Sequence, residues 1–111
     1  MKVLQSVSTI LFSIIVLNGC SKEPIQVRVH NLNDKEVTIT IKPATGTVKT
    51  IVAQAGETTQ YIEIDPTNGG TISGSRDGTN PPDIDFYAFV ESSYGITLSA
   101  GDNPNLSWDE E

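Results

Sequence analysis

The chain has 111 residues, with 7 Lys and Arg against 14 Asp and Glu, and a formal net charge of −7. This length favours one domain with a single modest core, because a domain this small buries only somewhat more than ~60% of its unfolded surface. The acidic excess repels phosphate backbones, so we expect no nucleic-acid partner. Hydrophobic residues make up 37% of the chain, which is too many for a disordered segment.

The first residues have the organisation of a cleavable signal peptide. Met1-Lys2 gives a short positive start, and the largely apolar stretch over residues 3–17 is shorter than the ~20 residues that a membrane-spanning helix needs. The stretch ends in Leu17-Asn18-Gly19-Cys20. These four residues resemble the lipobox of bacterial lipoprotein precursors, although Asn18 stands where Ala or Ser is usual.

The lipobox resemblance implies cleavage by signal peptidase II between Gly19 and Cys20, and a thioether-linked diacylglycerol on Cys20. Residues 1–19 are then the signal peptide, residues 20–24 the lipidated cysteine and a short tether, and residues 25–111 the folded domain. Two or three acyl chains of the palmitate type hold firmly to a membrane, because each buried methylene contributes about 0.8 kcal/mol. Ser21 replaces the Asp that resembles an inner-membrane retention signal, so we expect an outer-membrane protein facing the periplasm. Cys20 is the single cysteine, which excludes an intrachain disulfide.

Alternation of apolar and polar residues predicts an all-β fold from residue 25 onward. The pattern indicates a single antiparallel β-sandwich of seven to eight short strands, immunoglobulin-like or similar. Its first two strands should form a hairpin, because a turn rich in Asn and Asp separates them. We expect strands over residues 25–30, 37–42, 47–55, 59–65, 85–91, 96–98 and 106–108, with a long loop over residues 66–82 that holds at most a brief strand at 71–73.

One later segment resembles a known fold family. Tyr87-Ala88-Phe89-Val90, followed by a predicted turn at Tyr94-Gly95, is similar to the late strands of fibronectin type III domains. The early-strand tryptophan of those domains is missing, so the resemblance implies a shape and no function. The strand over residues 85–91 is apolar on both faces and is therefore predicted to be central.

Side chains that carry catalysis are scarce. His30 is the single histidine, it lies on the polar face of the first predicted strand, and no G-x-S-x-G elbow is present. We therefore expect a surface histidine, no enzyme activity, no cofactor and no zinc or copper cluster. Of the larger aromatic residues, Tyr87 and Trp108 should complete the core, while Tyr61 and Tyr94 should lie on the surface.

Oxygen ligands gather around the long loop. Asp77, Asn80, Asp83 and Asp85 form a candidate binding loop, although their spacing does not match the D-x-[DN]-x-[DN]-G pattern of a calcium loop. Asp83, Asp85 and Glu91 are also the residue types that a glycoside hydrolase would use. We rank that activity last, because the chain is too small for a deep cleft.

The sequence therefore favours a membrane-anchored lipoprotein that acts as a non-catalytic binding or accessory module. Its partner would be another envelope or secreted protein, and the first strand could accept a partner strand at a sheet edge. In an inhibitor or immunity-like version, the loop over residues 66–82 would insert into a target. The alternative is a small carbohydrate- or calcium-binding module of the cell envelope.

Overall fold

The structure, a computed structural model, describes residues 24–88 and 92–111, which form strands and connecting segments without a helix. No helix in this part of the chain is therefore long and apolar enough to span a bilayer. The strands are β1 (Ile25–Asn31), β2 (Val37–Pro43), β3 (Lys49–Ala53), β4 (Ile62–Ile64), β5 (Gly69–Arg76), β6 (Ile84–Tyr87), β7 (Ser93–Leu98) and β8 (Leu106–Glu110).

The eight strands form two four-stranded sheets, with the orders β4-β1-β7-β8 and β3-β2-β5-β6. Every pair is antiparallel except β1 with β7, which run parallel with Val27 opposite Tyr94 and Val29 opposite Ile96. The predicted all-β sandwich is thus confirmed. The parallel pair brings the first described strand to the interior of its sheet, so β1 is not an edge that could accept a partner strand.

The core lies between the two sheets and follows the predicted alternation. In β1 and β2 every second side chain points inward, because successive side chains of a strand face opposite sides of the sheet. Each buried branched side chain contributes about 1.5–3 kcal/mol relative to exposure. The fully buried residues of these two strands are Ile25, Val27, Val29, Asn31, Val37, Ile39 and Ile41.

The predicted hairpin between β1 and β2 is wrong, because the two strands belong to different sheets. Two asparagines are buried here, Asn31 at the end of β1 and Asn33 in the connection to β2. The Asn31 amide donates to the carbonyl oxygens of Ala53 and Gln54 at 3.1 and 3.0 Å, and Asn31 Oδ1 accepts from the Asn33 N–H at 2.9 Å. These bonds satisfy backbone groups of the opposite sheet, so the segment crosses the sandwich rather than turning back.

The long loop predicted over residues 66–82 is also wrong. Residues 69–76 of it form β5, the longest of the described strands, which pairs with β2 from Gly70 to Arg76 and with β6 from Gly69 to Ile72. Glycine is needed here for close approach: a Cβ on Gly70 would collide with the carbonyl oxygen of Lys42 and the Cα of Pro43. An uninterrupted loop over residues 66–82 is therefore absent, and residues 65–68 and 77–83 are the connecting segments on either side of β5.

The later strands correct three further predictions. β6 is an edge strand and not a central one, and Tyr87 is 77% exposed while Tyr94 is 3% exposed. Tyr94-Gly95 lies inside β7 instead of forming a turn. Phe89 and Val90, part of the fibronectin-like segment, lie outside the described residues. Trp108 packs against the core as expected, and its ring stacks on Tyr94 with a centroid separation of 4.4 Å.

Candidate functional site

A groove of about 470 Å³ lies beside the edge strand β6, at the end of the sandwich where β1 begins. Tyr87, an exposed residue, is part of its lining, and Asn68 and Asp85 add polar groups to the mainly apolar remainder. The lining residues are Ala44, Asn68, Gly69, Gly70, Asp85, Phe86, Tyr87 and Ala88.

Trp108 fixes the wall of this groove from the neighbouring sheet. Its indole N–H donates to the Tyr87 carbonyl oxygen at 2.8 Å, and its ring lies 4.6 Å from the Phe86 ring centroid. One indole therefore joins β8 of one sheet to β6 of the other. Because the Tyr87 carbonyl oxygen already accepts from Trp108, it is not free to accept a hydrogen bond from a strand added at this sheet edge. Because Trp108 is the single tryptophan of the chain, its fluorescence reports on this wall.

A second site lies on the outer face of the sheet that contains β1. Arg28 Nε and Tyr61 Oη both donate to Glu111 Oε1 at 2.8 Å, and His30 Nε2 bonds Glu111 Oε2 at 2.5 Å. The guanidinium carbon of Arg28 also lies 4.6 Å from the centroid of the Tyr61 ring. We call these four residues the Glu111 cluster. Three donors from two segments thus converge on one carboxylate.

The hydrogen bonds of the cluster shift two pKa values. Partial burial by itself raises the pKa of Glu111, but the hydrogen bonds from Tyr61, His30 and Arg28 outweigh it and hold that pKa at about 2. The pKa of Tyr61 is raised, first because its hydroxyl donates to Glu111 and then because of desolvation. Glu111 is therefore ionised at neutral pH, and Tyr61 keeps its proton as a donor.

Gly95 of β7 lies under the Glu111 carboxylate. A Cβ at this position would collide with the carboxylate and with His30 Nε2. The space that the carboxylate occupies, which we call the niche, therefore exists because glycine has no side chain. A polar hollow of about 290 Å³ adjoins the cluster and is lined by Arg28 and residues 57–61. The cluster is therefore reached from solvent on this side.

His30 lies on the outer face of its strand, as the alternation predicts, with its side chain 23% exposed. Both ring nitrogens are engaged, Nε2 by Glu111 and Nδ1 by the Thr58 hydroxyl at 3.1 Å. In the neutral ring, a proton on Nε2 suits the carboxylate, and Nδ1 then accepts from the hydroxyl. Such a histidine is a positioned donor to an anion.

The four residues of the predicted binding loop are divided among three places. Asp77 and Asn80 form the turn after β5, where the Asp77 carbonyl oxygen and Asn80 Oδ1 accept hydrogen bonds from Arg76. Asp83 is exposed before β6, and Asp85 alone reaches the groove. Within the described ranges, no three His, Cys, Asp or Glu side chains are grouped so that they could hold a metal ion. Gly19, Cys20 and Glu91 lie outside those ranges.

Arg76 is a buried cation that the sequence analysis did not single out. Its side chain is 5% exposed, Nε donates to Asn33 Oδ1 at 2.8 Å, and Nη2 lies 3.8 Å from an Asp34 oxygen and 3.9 Å from an Asp102 oxygen. The residue joins the β1–β2 connection to the turn after β5. This network closes the end of the sandwich opposite the groove, and its role is structural.

Similarity to known proteins gives no assignment for this chain. No protein-family model and no curated protein matches it. Sequence reasoning missed the Glu111 cluster, although Arg28 and His30, two residues apart on one strand face, were a visible signal for part of it. The groove beside Tyr87 was missed because that side chain was expected in the core.

Proposed function

We propose that this chain is a lipid-anchored, non-catalytic binding module for another envelope or secreted protein, and that the groove beside Tyr87 is its docking site. The observation that carries the proposal is the exposure of Tyr87, at 77%, in the lining of a mainly apolar groove. Large aromatic side chains beside apolar hollows are the usual anchors of protein interfaces.

The lipobox-like residues Leu17-Asn18-Gly19-Cys20 support the anchor. Ile25 follows Cys20 by five residues, and a fully extended chain spans at most ~3.6 Å per residue, so the tether reaches about 18 Å. The groove lies at the end of the sandwich where β1 begins. A partner bound there would be close to the bilayer surface, and Ser21 favours the periplasmic side of an outer membrane.

Two features favour binding over catalysis. Both ring nitrogens of His30 are hydrogen-bonded, so no nitrogen is directed toward a substrate. Among the described residues that line the groove, Asp85 is the one carboxylate, whereas glycoside hydrolysis requires two across a cleft.

Photo-crosslinking tests the docking site in the native envelope. A benzophenone amino acid replaces Tyr87 in the full-length, tagged protein, and the matched control replaces Val52, which is 50% exposed on the far edge strand β3. We expect a discrete protein adduct at position 87 and none at position 52. Folded, lipidated protein that gives no adduct at position 87, or equal adducts at both, contradicts the proposal.

The anchor is tested separately by metabolic labelling with a radioactive fatty acid. The wild-type protein should incorporate label and partition with membranes, and the Cys20→Ala protein should do neither. Equal labelling of the two proteins would rule out Cys20 as the modified residue.

The groove also favours a second candidate, a small carbohydrate-binding module. The exposed Tyr87 ring offers a face for a sugar, and Asn68 and Asp85 offer hydrogen bonds beside it. Titration of oligosaccharides while following Trp108 fluorescence tests this candidate, with Tyr87→Ala as the control. A saturable change that Tyr87→Ala abolishes would favour the carbohydrate.

A further inference from the structure

We propose that Arg28, His30 and Tyr61 form a binding site for the carboxylate of a glutamyl side chain from a partner protein, and that Glu111 occupies this site from within the chain. The site is on the outer face of the β4-β1-β7-β8 sheet, away from the groove. The inference rests on the proposed function in one respect, the protein nature of the partner.

The donors do not belong to the strand that carries the carboxylate. Arg28 and His30 are on β1, Tyr61 precedes β4, and Gly95 beneath them is on β7. Glu111 instead follows β8, which is the edge strand of this sheet. The receptor part of the cluster is thus built without the segment that fills it, and an edge strand is the part of a sheet most easily replaced at its end.

The geometry selects a carboxylate over a neutral group. One oxygen accepts from both Arg28 Nε and Tyr61 Oη at 2.8 Å, and the other bonds His30 Nε2. Hydrogen bonds between charged partners are about twice as strong as neutral ones, so a glutamine should bind much more weakly at the same place. Gly95 leaves the space that the second oxygen occupies.

The occupant that the structure shows defines the ligand class. Glu111 is presented by an extended segment whose N–H donates to the Ser93 carbonyl oxygen at 2.8 Å, next to β7. The side chains of Arg28 and Glu111 are 33% and 24% exposed, and the polar hollow beside Arg28 gives access from solvent. An extended acidic peptide therefore has both the charge and the backbone conformation that the site already accepts.

The test uses the full-length protein with Glu111→Ala, and the probe is N-acetylglutamate α-amide. Binding is followed by the NMR shifts of the His30 ring. We expect saturable binding with a dissociation constant on the order of 1 mM, and at least about twofold weaker binding to the wild type, because a tethered competitor of similar affinity acts at an effective concentration of about mM or more. N-acetylglutamine α-amide is the uncharged control ligand and should not saturate.

Two double variants identify the site. Arg28→Gln with Glu111→Ala removes the cation, and Gly95→Ala with Glu111→Ala fills the niche; each should weaken binding at least tenfold relative to Glu111→Ala alone. Dispersed backbone amide shifts confirm the fold of each protein, and Glu111→Gln replaces Glu111→Ala if the latter unfolds.

Three results overturn the proposal: no saturation in a folded Glu111 variant, equal binding of the glutamine control, or tenfold tighter binding of glucuronate, which would assign the site to sugar acids. The first of these leaves crosslinking at position 87 unaffected, so failure of this inference is distinguishable from failure of the proposed function.

Discussion

Replacing Asn31 by Ala should cause one of the largest losses of stability available from a single polar side chain in this domain. Asn31 is fully buried, and its amide nitrogen lies 2.8, 3.1 and 3.0 Å from the carbonyl oxygens of Lys35, Ala53 and Gln54. Its oxygen accepts from the Asn33 N–H. An amide has two N–H protons, so the side chain makes about three full hydrogen bonds with one proton shared.

The expected magnitude follows from these contacts. Each hydrogen bond contributes about 1 kcal/mol net, and a buried carbonyl left without a donor adds a further penalty, which together give about 3–4 kcal/mol. In a domain of this size, such a loss lowers Tm by roughly 12–30 °C. Urea unfolding followed by Trp108 fluorescence measures the free energy, and calorimetry measures Tm. The control, Asn103→Ala at an exposed position, should change stability by less than about 0.5 kcal/mol.

The variant Asn31→Asp distinguishes the hydrogen bonds that the Asn31 side chain donates from the one that it accepts. Aspartate keeps an oxygen that can accept from the Asn33 N–H, but it cannot donate to the three carbonyls and it adds a buried charge. It should therefore be at least as destabilising as Asn31→Ala at neutral pH. A loss below about 1 kcal/mol for Asn31→Ala would refute the reasoning, because it would mean that water replaces the amide at this crossing.

Three further outcomes are expected. The ionised Glu111 carboxylate, with a pKa of about 2 when folded against 4.5 ordinarily, should stabilise the wild type relative to Glu111→Gln above about pH 4.5 by on the order of 1 kcal/mol after solvent screening. Acid titration from about pH 4.5 down to about pH 2 should remove most of that difference. Gly70→Ala should cost about 2 kcal/mol or more in urea unfolding, because its Cβ meets the backbone at Lys42. Trp108→Phe should cost about 1–2 kcal/mol by calorimetry, since the Tyr87 carbonyl loses its donor.

Alternation along the chain was sufficient to identify the all-β class and the inward faces of β1 and β2, because a half-buried strand must place every second residue in the core. It could not identify which strands pair. The segment around Asn31 reads as a turn, since asparagine suits turns, and only the opposite sheet supplies the carbonyls that make it a crossing. β5 was hidden by its glycines, whose value lies in the close approach of neighbouring backbones.

The Glu111 cluster could be predicted only in part, for a related reason. Arg28 and His30 share the outer face of β1, which the sequence shows directly. Tyr61 joins them because Gln26 pairs with Glu63, and Glu111 joins them because Tyr94 pairs with Glu110 while β7 runs parallel to β1. Three registers must be known before four residues spread over the chain are seen to meet.

One edge strand serves both candidate sites, which decides how variants must be designed. Trp108 of β8 points inward and holds the Tyr87 carbonyl at the groove, while Glu111, just beyond the same strand, fills the cluster on the outer face. Any change that loosens β8 therefore alters both sites at once. Arg28→Gln changes the cluster from β1, which does not pair with β8, and Tyr87→Ala changes the groove without touching the cluster. Only variants of this second kind can assign a lost interaction to one site.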